Sequence, residues 1–132
     1  MEQMYKTYKD IAEFRLVYIT EAHAADSNRS VDYAKEKGIN QHKNYGERCT
    51  TAEMLMNDKS LTMPTLIDGM DNAVNKAYSA HPDRVFLVRS DGRLAVAAAR
   101  GPSGFKPALE QTEEWLAEFK KSGEEPALPD SE

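Results

Sequence analysis

The chain has 132 residues and a mass of 14.8 kDa, the size of one ordinary domain, which can bury roughly two-thirds of its unfolded surface. Seventeen Lys and Arg against 22 Asp and Glu leave a net charge of −5 and a pI near 5.3, which argues against a nucleic-acid partner, because neutralising phosphates needs a basic face. A single cysteine excludes an internal disulfide, a CxxC redox pair and a zinc site built from several thiolates.

From the start of the chain, Met1, Met4, Tyr5, Tyr8 and Ile11 follow the rhythm of one helix face. That face is in step from residue 1, with no N-cap or entering strand ahead of it. The stretch MEQMYKTYKD lacks the apolar segment and cleavage signature of a secretory signal. No apolar run anywhere approaches the roughly 20 residues of a membrane span, so a cytoplasmic protein with no membrane partner is expected. FRLVYI (residues 14–19) is a run of β-formers and predicts a buried strand. Residues 20–41 are polar over a length that implies a functional loop or a short helix within it.

Residues 44–57 place Tyr45, Cys49, Ala52, Leu55 and Met56 on one helical stripe. LTMPTLID (61–68) predicts a strand with Pro64 at its start, where a missing N–H does least harm. Residues 71–80 predict a short helix with Ala73, Val74, Ala77 and Tyr78 inward. VFLV and LAVA, joined through Asp91-Gly92, predict a hairpin. A final helix is expected after Gly104, with Pro107 in its first turn, Leu109, Thr112, Leu116 and Phe119 inward, and Gly123 ending it. The organisation expected is one domain over residues 1–121 and an acidic, proline-containing, disordered tail over 122–132.

The order is helix, strand, long loop, helix, strand, helix, hairpin, helix. It implies an α/β fold with a parallel sheet and an antiparallel hairpin at its edge. A proline opening a strand, followed by helix, hairpin and closing helix, resembles the second half of a thioredoxin-like fold. That resemblance implies a cis Met63–Pro64 bond.

At Tyr18-Ile19-Thr20-Glu21-Ala22-His23-Ala24-Ala25-Asp26 the pattern Y-I-x-E-A-H-x-x-D resembles the signature of the iodothyronine deiodinase family. Further landmarks fall in the same order: His42, residues 64–72 (PTLIDGMDN), residues 77–84, the Asp-Gly hairpin, and Arg100-Gly101-Pro102. The resemblance spans roughly residues 1–120, with Ser27-Asn28-Arg29 and Ala97-Ala98-Ala99 standing where the family carries an aromatic and small glycines. It implies an oxidoreductase that removes halogen from iodinated phenols, or performs related thiol or selenol redox chemistry on a small thiol or peroxide substrate. It implies no bound cofactor, only an external thiol reductant.

The resemblance also places a strand, loop and helix bearing a selenocysteine or cysteine nucleophile ahead of Met1, so the expected fold is truncated at its N-terminus and this chain by itself is expected to be inactive. A selenocysteine UGA codon read as a stop would leave Met1 as the next start, an ordinary misplaced start or a truncated paralogue being the alternatives, and the nucleotides upstream test this. In the thioredoxin topology the strand so removed lies between FRLVYI and PTLID. The expected result is direct pairing of those two or a visible gap, and an open sheet edge that invites a homodimer. The alternative is a non-catalytic remnant serving as an interaction module.

Glu21 and His23, two residues apart past a strand end, project to one side if the chain stays extended. A carboxylate beside an imidazole makes a proton relay, and the resemblance assigns the catalytic proton to Tyr18, Glu21, His23 and His42. The plain alternatives are a loop-stabilising Glu21–His23 pair and a surface His42. The resemblance makes Arg100 and Pro64 substrate-binding, Arg100 through its planar fork; simple solvent exposure is the other option for that arginine. Zinc on His23, His42, Glu21 and Asp26 has the right ligand types but matches no HExxH-like spacing, and no metal is expected. Cys49 fits an inert core thiol better than a resolving cysteine, and His81 beside Pro82 fits a structural or exposed role.

Overall fold

The computed structural model describes residues 1–128. It is a mixed α/β chain of nine elements: α1 (Glu2–Tyr8), β1 (Leu16–Tyr18), α2 (Asp32–Lys37), α3 (Tyr45–Asp58), β2 (Thr65–Ile67), α4 (Ala73–Tyr78), β3 (Phe86–Val88), β4 (Leu94–Ala97) and α5 (Phe105–Ser122). They fall into two compact units, Phe14–Pro82 and Met1–Glu13 with the described residues from Asp83 onward. Among the described residues no helix is long and apolar enough to cross a membrane.

In the unit Phe14–Pro82, β1 and β2 pair in parallel with Leu16 opposite Thr65, Val17 opposite Leu66 and Tyr18 opposite Ile67. The ladder runs on at both ends, from Leu16 N–H to Pro64 O at 3.0 Å and from Asp68 N–H to Tyr18 O at 2.9 Å. Of the two outcomes expected for these strands, direct pairing is the one observed. The polar stretch between β1 and α3 holds α2, which ends at Gly38 with φ +68, a left-handed conformation that glycine adopts without a Cβ clash. Helix α3 starts at Asn44, whose side chain accepts from Glu47 N–H at 2.9 Å, while Glu47 Oε2 accepts from Lys43 N–H at 2.7 Å. This reciprocal capping fixes where the helix begins and therefore where His42 and Arg48 face. The interior of the unit gathers Tyr18, Ala24, Ala34, Ile39, Ala52 and Met63 with three polar side chains, His42, Arg48 and Asp68.

In the other unit, β3 and β4 form the expected hairpin, closed by Arg89 N–H to Arg93 O at 2.8 Å and turned at Gly92 with φ +83. Val85, Leu87, Val96 and Ala98 are buried, as are Ala108, Thr112 and Leu116 of α5 and Met4 and Tyr8 of α1. Lys120 links α5 to α1, donating to Thr7 O at 3.3 Å with its ammonium 5.6 Å from the Tyr8 ring centre. Gly104 is required by close packing, since a Cβ there would lie 2.1 Å from Ala99 O. Beyond α5, Ser90 N–H donates to Glu125 Oε1 at 2.8 Å and Arg89 donates to Pro126 O. The start of the expected tail is thus held on the hairpin, and residues 129–132 lie outside the described residues.

Four expectations are corrected. Met63–Pro64 is trans; the cis bonds are His81–Pro82 and Gly101–Pro102. A trans bond feeds the chain straight into β2 and delivers Pro64 O to Leu16 N–H. The strands make two separate two-stranded sheets rather than one sheet with an edge hairpin. Both β1 and β2 are only three residues long, and β2 is soon followed by the turn closed from Asn72 N–H to Gly69 O. In α4 no residue is buried, Tyr78 being 47% exposed, because six residues make too short a helix to present a full apolar stripe. Tyr45, expected on the inner face of α3, is 51% exposed at the first helical position, and Arg48 occupies the buried stripe instead.

Candidate active site

The site is built on the end of β1, the loop after it, and the start of α3. Tyr18, the last residue of β1, is buried and donates its hydroxyl proton to Glu21 Oε1 in a short hydrogen bond. Glu21 is held in place through its backbone by Gln41. Glu21 N–H donates to Gln41 Oε1 at 3.3 Å, and Gln41 Nε2 donates to Glu21 O at 2.9 Å. Gln41 N–H in turn donates to Asp26 Oδ1 at 2.9 Å, so Asp26 anchors the loop. The next residue, His42, lies with Nε2 3.4 Å from Tyr18 Oη and its ring centre 5.6 Å from that of Tyr18.

Behind His42 stands Arg48, only 2% exposed, with Nε 3.4 Å from His42 Nδ1. Its Nη1 donates to Asp68 O at 3.1 Å and Gly69 O at 2.7 Å, and its Nη2 to Asn72 Oδ1 at 3.1 Å. The Asp68 carboxylate, also 2% exposed, accepts from Val74 N–H at 3.0 Å and Asn75 N–H at 2.9 Å, at the start of α4. The turn after β2 is thereby tied to the same cluster.

The hydrogen-bond directions follow from valence. An arginine Nε can only donate, so His42 Nδ1 accepts and the neutral ring carries its proton on Nε2. Nε2–H then donates to Tyr18 Oη, and Tyr18 donates onward to Glu21. Burial pushes the Tyr18 hydroxyl pKa up, and the Glu21 carboxylate beside it pushes the same way. Burial holds the His42 pKa below the ordinary histidine value; Glu21 opposes this and Arg48 adds to it. The result is a line of groups, Arg48 to His42 to Tyr18 to Glu21, with every proton assigned.

Of the residues expected to act together, the fold unites Tyr18, Glu21 and His42. His23 turns away, its Nδ1 donating to Arg29 O at 2.8 Å, and it is exposed. Pro64 is exposed and lines an open cleft of about 370 Å³ with Cys49, Met56, Met63 and Ile67. Cys49 is half-buried there. A second open cleft, of about 510 Å³, is lined by His42, Gln41, Lys43, Glu47, Thr50 and Thr51. His81 is exposed, its N–H donating to Asn75 Oδ1 at 3.0 Å. Arg100 lies in the other unit, exposed, where its carbonyl accepts from Gly104 N–H at 3.1 Å. Among the described residues no three His, Cys, Asp or Glu side chains gather where they could hold a metal.

Arg48, Gln41 and Asp68 escaped the sequence reading. Arg48 had a visible signal: it lies four residues before Ala52 and seven before Leu55, a charge on the stripe expected to be buried.

The fold and site define a mixed α/β protein with a buried tyrosine–carboxylate–histidine line suited to carrying a proton. The profile of the family described as iodothyronine deiodinase matches residues 1–120. The chain belongs to the iodothyronine deiodinase family. It is 31% identical over 119 residues to a thyroxine 5-deiodinase of Sparus aurata, covering 90% of this chain and 42% of the relative. With a thyroxine 5-deiodinase of Gallus gallus it shares 34% over 113 residues, covering 86% and 42%. With a type II iodothyronine deiodinase of Neoceratodus forsteri it shares 32% over 117 residues, again 86% and 42%. The chain spans about two-fifths of the length of these relatives.

Proposed function

We propose that this chain is the proton-handling part of a thioredoxin-like oxidoreductase that reductively removes iodine from an iodinated phenol, the chemistry carried in the names of its relatives. The supporting observation is the unbroken line Tyr18–Glu21–His42 with Arg48 behind it. A selenolate or thiolate takes the iodine from the ring carbon and a proton replaces it there. Two external thiols then reduce the nucleophile–iodine bond, releasing iodide, a disulfide and two protons and regenerating the selenolate or thiolate.

That proton leaves through Glu21, the half-buried end of the line. Negative charge then grows on Tyr18 Oη, where His42 Nε2–H and the Arg48 charge behind it oppose the build-up, and water restores the proton. Pro64, on the open cleft beside β2, shapes the approach of the substrate. The partner is a small halogenated aromatic or a thiol or peroxide, met in the cytoplasm without nucleic acid or membrane.

Cys49, half-buried on α3 and outside the Tyr18–Glu21–His42 line, serves in this reading as a packing thiol rather than the nucleophile. The 132-residue chain by itself releases negligible iodide from an iodophenol with a dithiol. Placing the nucleophile-bearing segment of a relative ahead of Met1 restores release, and Glu21→Gln lowers its kcat by about 10²-fold, the scale of a positioned proton donor. Restored turnover untouched by Glu21→Gln refutes the relay. No turnover in any such form favours the interaction-module alternative, and release by the 132 residues that Cys49→Ser abolishes makes Cys49 the nucleophile.

A further inference from the structure

We propose that Arg48 is a positioning residue that locks His42 in its Nε2–H tautomer and aims that N–H at Tyr18, an inference resting on the reading of Tyr18, Glu21 and His42 as the relay. The guanidinium is buried and its N–H groups are spread over separate acceptors: His42 Nδ1, the carbonyls of Asp68 and Gly69, and Asn72 Oδ1. Among the described residues no carboxylate forms an ion pair with it. Its charge, paired with no carboxylate, acts on both His42 and Tyr18. A planar fork anchored at three points on the turn after β2 cannot swing, which leaves its Nε–H aimed at one ring nitrogen.

The groups facing His42 are Tyr18 from β1, Glu21 from the following loop, and Glu47 and Arg48 from α3. Only Arg48 meets Nδ1. Protonating that nitrogen would set one N–H against another, so the imidazolium is opposed by geometry as well as by burial. A His42 in the other tautomer would present a lone pair to Tyr18. It could then take the tyrosine proton but could not stabilise the oxygen left when that proton moves to Glu21.

Nitrogen-15 NMR of the full chain labelled at its three histidines tests this. His23 is an internal contrast, since a donor to the Arg29 carbonyl carries a proton on Nδ1. At neutral pH His42 should show a protonated Nε2 and, unlike His23, a bare Nδ1. Arg48→Met should mix the His42 tautomers and raise its titration midpoint. Arg48→Lys keeps a charge but cannot reach His42 and the loop carbonyls together, so it should lose the single tautomer while the midpoint stays low. A wild-type His42 found as Nδ1–H, or an Arg48→Lys variant with an unchanged tautomer, overturns the inference. These two measurements decide it even if Arg48→Met does not fold. Failure of the relay itself reads out separately, as turnover of the nucleophile-bearing form insensitive to Glu21→Gln.

Discussion

Tyr18 Oη has a carboxylate on one side and a histidine N–H on the other, and the two affect its proton in opposite ways. Glu21 holds the proton on the oxygen by accepting from it, while His42 and Arg48 favour the oxygen once the proton has gone. In the resting protein the carboxylate and burial prevail. A tyrosine whose pKa is raised on folding leaves the native state the stronger proton binder. Its contribution to stability is whole below the ordinary value of 10.0 and is lost as pH rises above it. Urea midpoints between pH 9 and pH 11 should therefore fall more steeply in the wild type than in Tyr18→Phe. His42 has the opposite sign. Its folded pKa lies below the ordinary 6.5, so its contribution is whole above that value and is lost as pH falls through it to the folded pKa. His42→Gln should flatten the loss of stability between pH 7 and pH 5, and equal slopes for the two proteins would contradict the burial of a neutral ring.

At the scale of elements, what the sequence announces is local. Asp91-Gly92 between apolar runs became the hairpin turn, Pro107 lies in the first turn of α5, and Gly123 ends that helix with φ +74. The spacing Y-x-x-E carried Tyr18 and Glu21 into contact because just two residues, Ile19 and Thr20, bridge the bend at the end of β1. Glu21 and His23 do not project to one side because the same-side rule needs an extended backbone, and the chain bends at Ala22 and His23. His42 and Tyr18, 24 residues apart, meet only because α3 is capped where it is, which no spacing rule foretells. Asn44→Ala should cost about 1 kcal/mol of stability through loss of the cap, measured by denaturant unfolding. It should also loosen His42, seen as broadening of its ring resonances. Gly104→Ala, which forces a Cβ against Ala99 O, should cost about 1–3 kcal/mol, and no loss would show that the turn before α5 can yield.

Over the whole chain, alternation of apolar runs with helical stripes led to the right class, a mixed α/β fold. It could not say which strand pairs with which, because pairing depends on edges that the pattern does not record. Two strands of three residues found each other, and the hairpin closed on itself in the other unit.

The far end of that hairpin is held by residues well separated along the chain. Arg89 pairs with Asp91 at 3.4 Å and with Glu125 at 3.6 Å and reaches the Pro126 carbonyl, while both Ser90 N–H and Ser90 Oγ go to Glu125. Ser90 and Glu125 are 35 positions apart, so this clasp shuts a ring containing all of β4 and α5. Opening the tip thus means letting go of the trailing segment. Amide hydrogen exchange at Ser90 should quicken when the chain is cut after Gly123, and a fluorophore attached at Ala127 would report, by its loss of rigidity, when the distant turn has come undone.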